Sequence, residues 1–299
     1  MDWRKLEKED KPLLDSFFRA RNYENSHFNF TTFFMWREAN ERIWAVEDDV
    51  LYLAGHWQGK ANVAPPVCAP EKMEGALQKQ LQWFRDEGAP VFVYGIEDAL
   101  IEPYRRLEGA PLELTASVDD MDYVYNTADL INLSGRRYHT KKNHYNAFWR
   151  SYPEAEYLPI TEDIVPECKL NLNTWAKLQQ EELPDDPLVE WERKGTMEVL
   201  NDFAFYGLKG GALRIGKRIV AFTFGELTND NTVVIHVEKA APEVRGAFTA
   251  INRDFLAHEW ADVPFVNRQE DMGLDGLRRA KESYRPCRMV KKWLAKELI

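Results

Sequence analysis

The sequence predicts an α/β fold, with mixed sheets of the α+β kind, built as two similar units. Three observations lead there. The chain has 299 residues, and at roughly 100–200 residues per domain that length suits two units. Its hydrophobic pattern switches repeatedly between strand-like alternation and helical spacing. The order of elements read in the second half also recurs, less regularly, in the first.

In the first half, residues 10–21 and 31–40 read as helices. Ile43–Ala54 reads as a hairpin turning at Glu47-Asp48-Asp49. Glu71–Glu87 carries Met73, Leu77, Leu81 and Phe84 on one helical face, and Gly88 stops it. Val91–Tyr94 is a short strand, Ile101–Leu107 a short helix, and strands resume at Leu112–Ser117 and Tyr123–Tyr125. Ser134 is placed to cap a helix running to about Trp149. That helix sets Tyr138, Tyr145 and Trp149 on one line and Arg137, Lys141, His144 and Phe148 on the next. We read 131–150 as a bridge between residues 1–130 and 151–299.

The second half opens with a strand at Glu156–Ile160 and helices near 162–181 and 188–205. A hairpin follows at Ala212–Leu227, turning at Gly216-Lys217. Then come a strand at Thr232–Glu238, a helix at Pro242–His258 with proline in its first turn, and a strand at Phe265–Gln269. A helix over 272–284 and a strand at Cys287–Trp293 end the order. This order resembles that of the GNAT acyltransferases, so the whole chain reads as a tandem GNAT-like fold.

Composition narrows the function. A hydrophobic fraction of 44% supports sizeable cores. The net charge of −10 argues against indiscriminate binding to nucleic acid or acidic membranes. The charge is uneven: residues 265–299 hold nine Lys/Arg and five Asp/Glu, leaving −14 on the remainder. A local anion site therefore fits on an acidic protein. Cys68, Cys168 and Cys287 lack metal-ligand spacing, so we expect no metal and a reduced, cytoplasmic protein. The N-terminal stretch lacks the apolar core of a secretory signal, and no apolar run reaches the ~18 residues of a membrane span.

Three places could carry chemistry. Glu238 lies at the carboxyl end of TVVIHVEK, where open α/β sheets collect ligands. There a carboxylate accepts a proton from an amine or grips an ammonium. By strict alternation, Val234, His236 and Glu238 share a face, and His236 reads as a satisfied core histidine. In PEVRGAFTAINRDFL, Val244, Phe248, Ile251 and Phe255 form an apolar stripe beside a polar one of Arg245, Thr249 and Asn252. Gly246 sits at the helix start, where free N–H groups and the guanidinium of Arg245 suit an anion. In FVNRQEDMGLDGLRRAKESYRP, Asn267, Arg268 and Glu270 follow a strand, Asp271 is placed as a helix cap, and Gly273 and Gly276 flank the first turn. Leu274, Leu277 and Tyr284 form its buried stripe; Arg278, Lys281 and Arg285 form a basic one. Each arrangement also suits an ordinary amphipathic helix with solvated charges.

The segments LINLSGRRYHTKKNHYNAF, VIHVEKAAPEVRGAFTAINRDF and FVNRQEDMGLDGLRRAKESYRP resemble a bacterial family similar to the catalytic domain of phosphatidylglycerol lysyltransferases. The wider group includes the FemABX peptidyl transferases, and its better-known members move amino acids from aminoacyl-tRNA onto a lipid or peptide amine. The resemblance implies a transferase with aminoacyl-tRNA or acyl-CoA as donor and an amine or hydroxyl acceptor. By their own chemistry, Glu238 or Glu270 would orient or deprotonate the amine, and Asn267 with backbone N–H groups would steady the oxyanion. Arg245, Gly246, Asn252, Arg268, Asp271, Gly273 and Lys281 would bind substrate. The R/Q-x-x-G-x-G/A loop of acetyl-CoA enzymes aligns with Arg245–Ala250, where Phe248 replaces the middle glycine. Acetyl-CoA is accordingly less expected than for an ordinary acetyltransferase. A second reading stays open: a non-catalytic binder of RNA or a phosphorylated ligand, suggested by the cations and aromatics of SGRRYHTKKNHYNAFW.

Overall fold

The computed structural model describes residues 1–108, 111–182, 184 and 186–298. From the N-terminus the chain forms β1 (Arg4–Lys5), α1 (Lys11–Arg19), α2 (Phe30–Met35), β2 (Ile43–Glu47), β3 (Val50–Trp57), β4 (Lys60–Val63), α3 (Met73–Glu87), β5 (Phe92–Glu97), α4 (Ile101–Arg105) and β6 (Leu112–Ala116). It continues with β7 (Asp122–Asn126), α5 (Thr127–Asn132), α6 (His139–Ser151), β8 (Ala155–Pro159), α7 (Val165–Glu182), α8 (Pro187–Asn201), α9 (Phe203–Tyr206), β9 (Lys209–Ile215) and β10 (Arg218–Asn229). The rest is β11 (Thr232–Ala240), α10 (Ala247–Glu259), β12 (Phe265–Asn267), α11 (Asp275–Glu282), β13 (Arg288–Val290) and β14 (Lys292–Glu297).

These elements make two compact units. Unit 1 is Met1–Asp122, Glu270–Leu274 and Met289–Ile299; unit 2 is Tyr123–Gln269 and Asp275–Arg288. The division differs from the sequence expectation of a bridge at 131–150. Helix α6 belongs wholly to unit 2, because Phe148 is fully buried among Ala247, Ala250 and Ile251 of α10.

The sheet of unit 1 runs β1-β2-β3-β4-β5-β14-β6, and the sheet of unit 2 runs β8-β9-β10-β11-β12-β7-β13. In each, the first four strands are antiparallel, and the fourth and fifth are parallel. The sixth position is exchanged. Unit 1 receives β14 from the end of the chain, while unit 2 receives β7 from the first half. The strand expected at Cys287–Trp293 is therefore two strands in different sheets.

Local sequence explains the elements that match expectation. The β2–β3 hairpin turns on Asp48 and Asp49, both left-handed at φ 54° and 56°, the conformation that suits the right-handed twist of paired strands. Met73, Leu77, Leu81 and Phe84 of α3 are all buried in the core of unit 1. Each such side chain contributes roughly 1.5–3 kcal/mol.

Unit 2 has two apolar clusters beneath α10. One joins Tyr123, Tyr125, Val233, Ile235, Phe255 and Val266; the other joins Phe148, Ala221, Ala240, Ala247 and Ile251. Helix α10 begins at Ala247, not at Pro242, and it is rotated from the expected facing. Thr249 and Asn252 turn inward, while Phe248 is 46% exposed. Ser134 is exposed and caps no helix; α6 starts at His139 after a short 3-10 turn.

Candidate active site

Strands β11 and β12 pair in parallel over three residues: Thr232 with Phe265, Val233 with Val266 and Val234 with Asn267. β12 then ends, while β11 runs on to Ala240. Within this unpaired reach the β10–β11 register jumps from Gly225↔Ile235 to Phe224↔Val237. His236 is thus the extra residue of a β-bulge, and alternation shifts by one. Gly225 is required there, since a Cβ on it would lie 2.2 Å from the carbonyl oxygen of Val234. The bulge corrects the expected facing. His236 points away from Glu238 and meets Glu226 at 3.0 Å through Nε2, consistent with a satisfied core histidine. Glu238 joins Ile235 and Ala240 on the face that packs against α10.

There the carboxylate is held at both oxygens. Asn252 Nδ2 donates to Oε2 over 2.9 Å, and Arg268 Nη2 donates to Oε1 over 2.8 Å. The Glu238 and Arg268 side chains are each 12% exposed. Arg268 leaves β12 at the split, anchored by its own N–H to the Tyr123 carbonyl at 2.9 Å. Its guanidinium lies 4.7 Å from the Tyr284 ring centroid and 5.8 Å from that of Tyr125. Burial disfavours its charge, but Glu238 and the two tyrosines outweigh this, and the guanidinium is held above its ordinary value. Its other amino group, Nη1, is buried near the Tyr284 hydroxyl without a hydrogen-bond partner. Asn252 Oδ1 is likewise buried and unpartnered.

The opposite face of this group comes from α6. Lys141 Nζ stands 3.8 Å from the Tyr284 ring centroid. Burial first, and then the charge of Arg268, pull its ammonium down to about 8, against the opposing pull of Glu238. His144, one turn along, is lowered by burial and by the charges of Lys141 and Arg245. Sequence reading placed Lys141 on a basic line but did not single it out.

Other expected site residues have structural partners. Lys281 turns inward instead of forming an exposed stripe; its Nζ donates to the Arg268 carbonyl at 2.5 Å, and Tyr125 donates to the Lys281 carbonyl at 2.8 Å. Asn267 is fully buried, and its Oδ1 accepts from the Gln269 N–H at 2.8 Å, holding that residue left-handed. Gly246, at φ 88°, immediately precedes α10, but the space of its missing Cβ is filled by α6: the His144 carbonyl oxygen would be 2.5 Å away. Its smallness therefore serves helix packing. Arg245 beside it is exposed.

Glu270, Asp271 and Gly273 belong to unit 1. Asp271 does not cap α11, which begins only at Asp275; its Oδ1 accepts from Gly273 N at 2.9 Å, closing a turn with Met272 and Gly273 left-handed. Leu274 is exposed, not part of a buried stripe. Glu270 joins a buried cluster that the sequence did not reveal. Lys292 Nζ lies 2.6 Å from Asp122, 3.2 Å from Glu270 and 3.3 Å from both Ser26 Oγ and His27 Nε2. Ser26 donates through N and Oγ to Asp122 at 2.7 and 2.8 Å. Lys292 and Asp122 are wholly buried.

Close to this cluster, burial pushes the Glu97 carboxyl from 4.5 up to about 7; the Asn25 N–H opposes the rise, and Glu24 and Asp122 reinforce it. A carboxyl raised by folding binds its proton more tightly in the folded state, so its contribution falls as pH rises from 4.5 to about 7. Glu97→Gln keeps the acceptor for Asn25 and removes that loss. Relative to wild type, the variant should gain on the order of 2 kcal/mol between pH 5 and pH 8. Thermal unfolding at the two pH values measures it, and parallel shifts would refute it.

The family model described as phosphatidylglycerol lysyltransferase, C-terminal, matches residues 18–296. A conserved protein of unknown function from Bacteroides thetaiotaomicron is 28% identical and superposes with a TM-score of 0.91, each chain covered in full. L-PGS from Bacillus licheniformis has a TM-score of 0.69 at 14% identity, covering 96% of this chain and 92% of that one. A tandem GNAT protein from the clavulanic acid biosynthesis pathway has a TM-score of 0.50 at 9% identity, covering 99% and 98%. An uncharacterised protein of Mycoplasmoides gallisepticum is 25% identical over 201 residues, and the aligned part spans 63% of its length. The fold is thus that of the tandem GNAT proteins. Among the described residues, no helix is long and apolar enough to cross a membrane.

Proposed function

Because the chain belongs to the phosphatidylglycerol lysyltransferase C-terminal family, we propose that it transfers an aminoacyl or acyl group from an ester or thioester donor to an amine or hydroxyl acceptor. The observation that carries this reading is the Glu238–Asn252–Arg268 clasp at the point where β11 and β12 part. A parallel pair that separates at its carboxyl end offers a slot lined by backbone and by the side chains that follow.

In that slot the carboxylate oxygens of Glu238 accept an N–H or O–H of the acceptor and orient its lone pair toward the donor carbonyl. The free Nη1 of Arg268 supplies a charged donor for the oxygen that becomes negative as the tetrahedral intermediate forms. Asn252 fixes the carboxylate from the far side. Exposed Arg245 is available for a donor phosphate. Phe248 stands exposed where acetyl-CoA enzymes carry glycine, which favours aminoacyl-tRNA over acyl-CoA as donor.

The test is a transfer assay with charged tRNA or acyl-CoA as donor. Small primary amines, peptides with free N-termini and phosphatidylglycerol vesicles are offered as acceptors. Acceptor-dependent deacylation of the tRNA, with the product identified by mass, is expected. Loss of acyl group from neither donor would defeat the proposal, and salt-sensitive tRNA binding without turnover would make the protein a binder.

A further inference from the structure

We infer that Lys141 is the proton carrier of the transfer step, taking the proton that the acceptor loses and returning it to the departing oxygen. The inference rests on the transfer reading and adds a residue to it. Glu238 is poorly placed to do this work alone, because each of its oxygens already receives a donor, from Asn252 and from Arg268. Lys141 is in the opposite condition. Its amine lies against the Tyr284 ring, and among the described residues no acceptor lies within hydrogen-bonding distance of it. The same ring carries the Arg268 guanidinium, so two cations crowd one aromatic.

The groups facing Lys141 come from each neighbouring element. Arg268 follows β12, Glu238 lies on β11 and Tyr284 follows α11. His144 stands on its own helix, with Arg245 before α10 acting on that histidine. Burial and Arg268 favour a neutral amine, whereas Glu238 and the face of the Tyr284 ring, which attracts a cation, pull the other way. With its ammonium lowered to about 8, a substantial fraction of Lys141 is neutral near physiological pH. An ordinary surface lysine is not.

The step balances. The acceptor nitrogen forms a bond to the donor carbonyl carbon, and the carbonyl π electrons move onto oxygen. The now positive nitrogen gives a proton to neutral Lys141. The tetrahedral centre collapses, the bond from carbon to the donor oxygen breaks, and the leaving alkoxide takes the proton back from Lys141. Amide and free donor hydroxyl are the products, and Lys141 is neutral again.

The test uses the full chain and has two readouts. The first needs no turnover: acetic anhydride modification across pH 6–11, quantified for each lysine by mass spectrometry. Lys141 should show a midpoint near 8, and Glu238→Gln should move it lower by removing the opposing charge. The second compares wild type with Lys141→Arg, which keeps the cation over Tyr284 but cannot become neutral. With charged tRNA as donor, Lys141→Arg should lower kcat about 10²-fold with KM within about 3-fold, and should erase the limb of the pH–rate profile that rises through about 8. A Lys141 midpoint above 10, or a retained limb in Lys141→Arg, overturns the role of Lys141 while wild-type turnover keeps the transfer reading. Absence of wild-type turnover from every ester donor overturns both.

Discussion

Glu238→Gln should lower the rate of transfer about 10²-fold while leaving the fold intact. The new side-chain amide would keep an oxygen for the Arg268 guanidinium. Its nitrogen would face Asn252, whose own amide can turn over, because Asn252 Oδ1 is buried and unpartnered. The hydrogen bonds of the clasp survive and only the charge is lost. In the proposed reaction that charge would orient the acceptor, and in the structure it offsets the buried guanidinium beside it. The residual cost in stability should therefore stay within roughly 1–3 kcal/mol, as for a buried cation left with a neutral hydrogen-bond acceptor. Turnover and thermal unfolding measured on the same preparation separate the two effects. A wild-type rate in Glu238→Gln would remove this carboxylate from the chemistry, and loss of cooperative unfolding would show the clasp to be structural only.

The largest effect on stability is expected from Lys292→Met. The substitution keeps the apolar length of the side chain but strips its charge from Asp122 at 2.6 Å and Glu270 at 3.2 Å. Two carboxylates would then share a site that has lost its lysine. Removing one partner of a buried ion pair typically costs about 3–5 kcal/mol, comparable to the whole margin of many domains. Adding Asp122→Asn to Lys292→Met should recover part of the loss, since the asparagine can still accept from Ser26. Urea unfolding of wild type, the single variants and the double variant gives the coupling. A Lys292→Met cost below about 1 kcal/mol, within the range of an exposed pair, would refute this account.

What could be read from sequence followed the range of the interaction. The β2–β3 hairpin and α3 are local. A turn of two aspartates and a four-residue spacing of large apolar groups specify them without help from elsewhere. Glu238 and Arg268 could be placed at strand ends for the same reason. Their pairing could not, because it depends on the bulge at His236, which moves Glu238 to the other face of its strand. Alternation assumes an unbroken pleat, and one extra residue defeats it. The rotation of α10 has a similar origin. Thr249 is inward because Tyr284, far along the chain, meets its hydroxyl at 3.3 Å. Nothing in the helix itself announces that partner. Lys292 was hidden for a third reason: a lysine flanked by Lys291 and Trp293 at a strand start reads as solvated, and only the strand exchange buries it.

That exchange bears on how the molecule comes into being. A ribosome delivers the first 122 residues long before Lys292–Glu297, so the emerging unit 1 has a gap between β5 and β6 where β14 will later fit. Both borders of the gap are open strand edges, the kind of surface that recruits stray chains. Asp122 meanwhile waits for its cation. The nascent first half cannot settle early as an independent domain would. It must stay soluble until β14 has been made, and unit 1 closes on a strand from far along the chain.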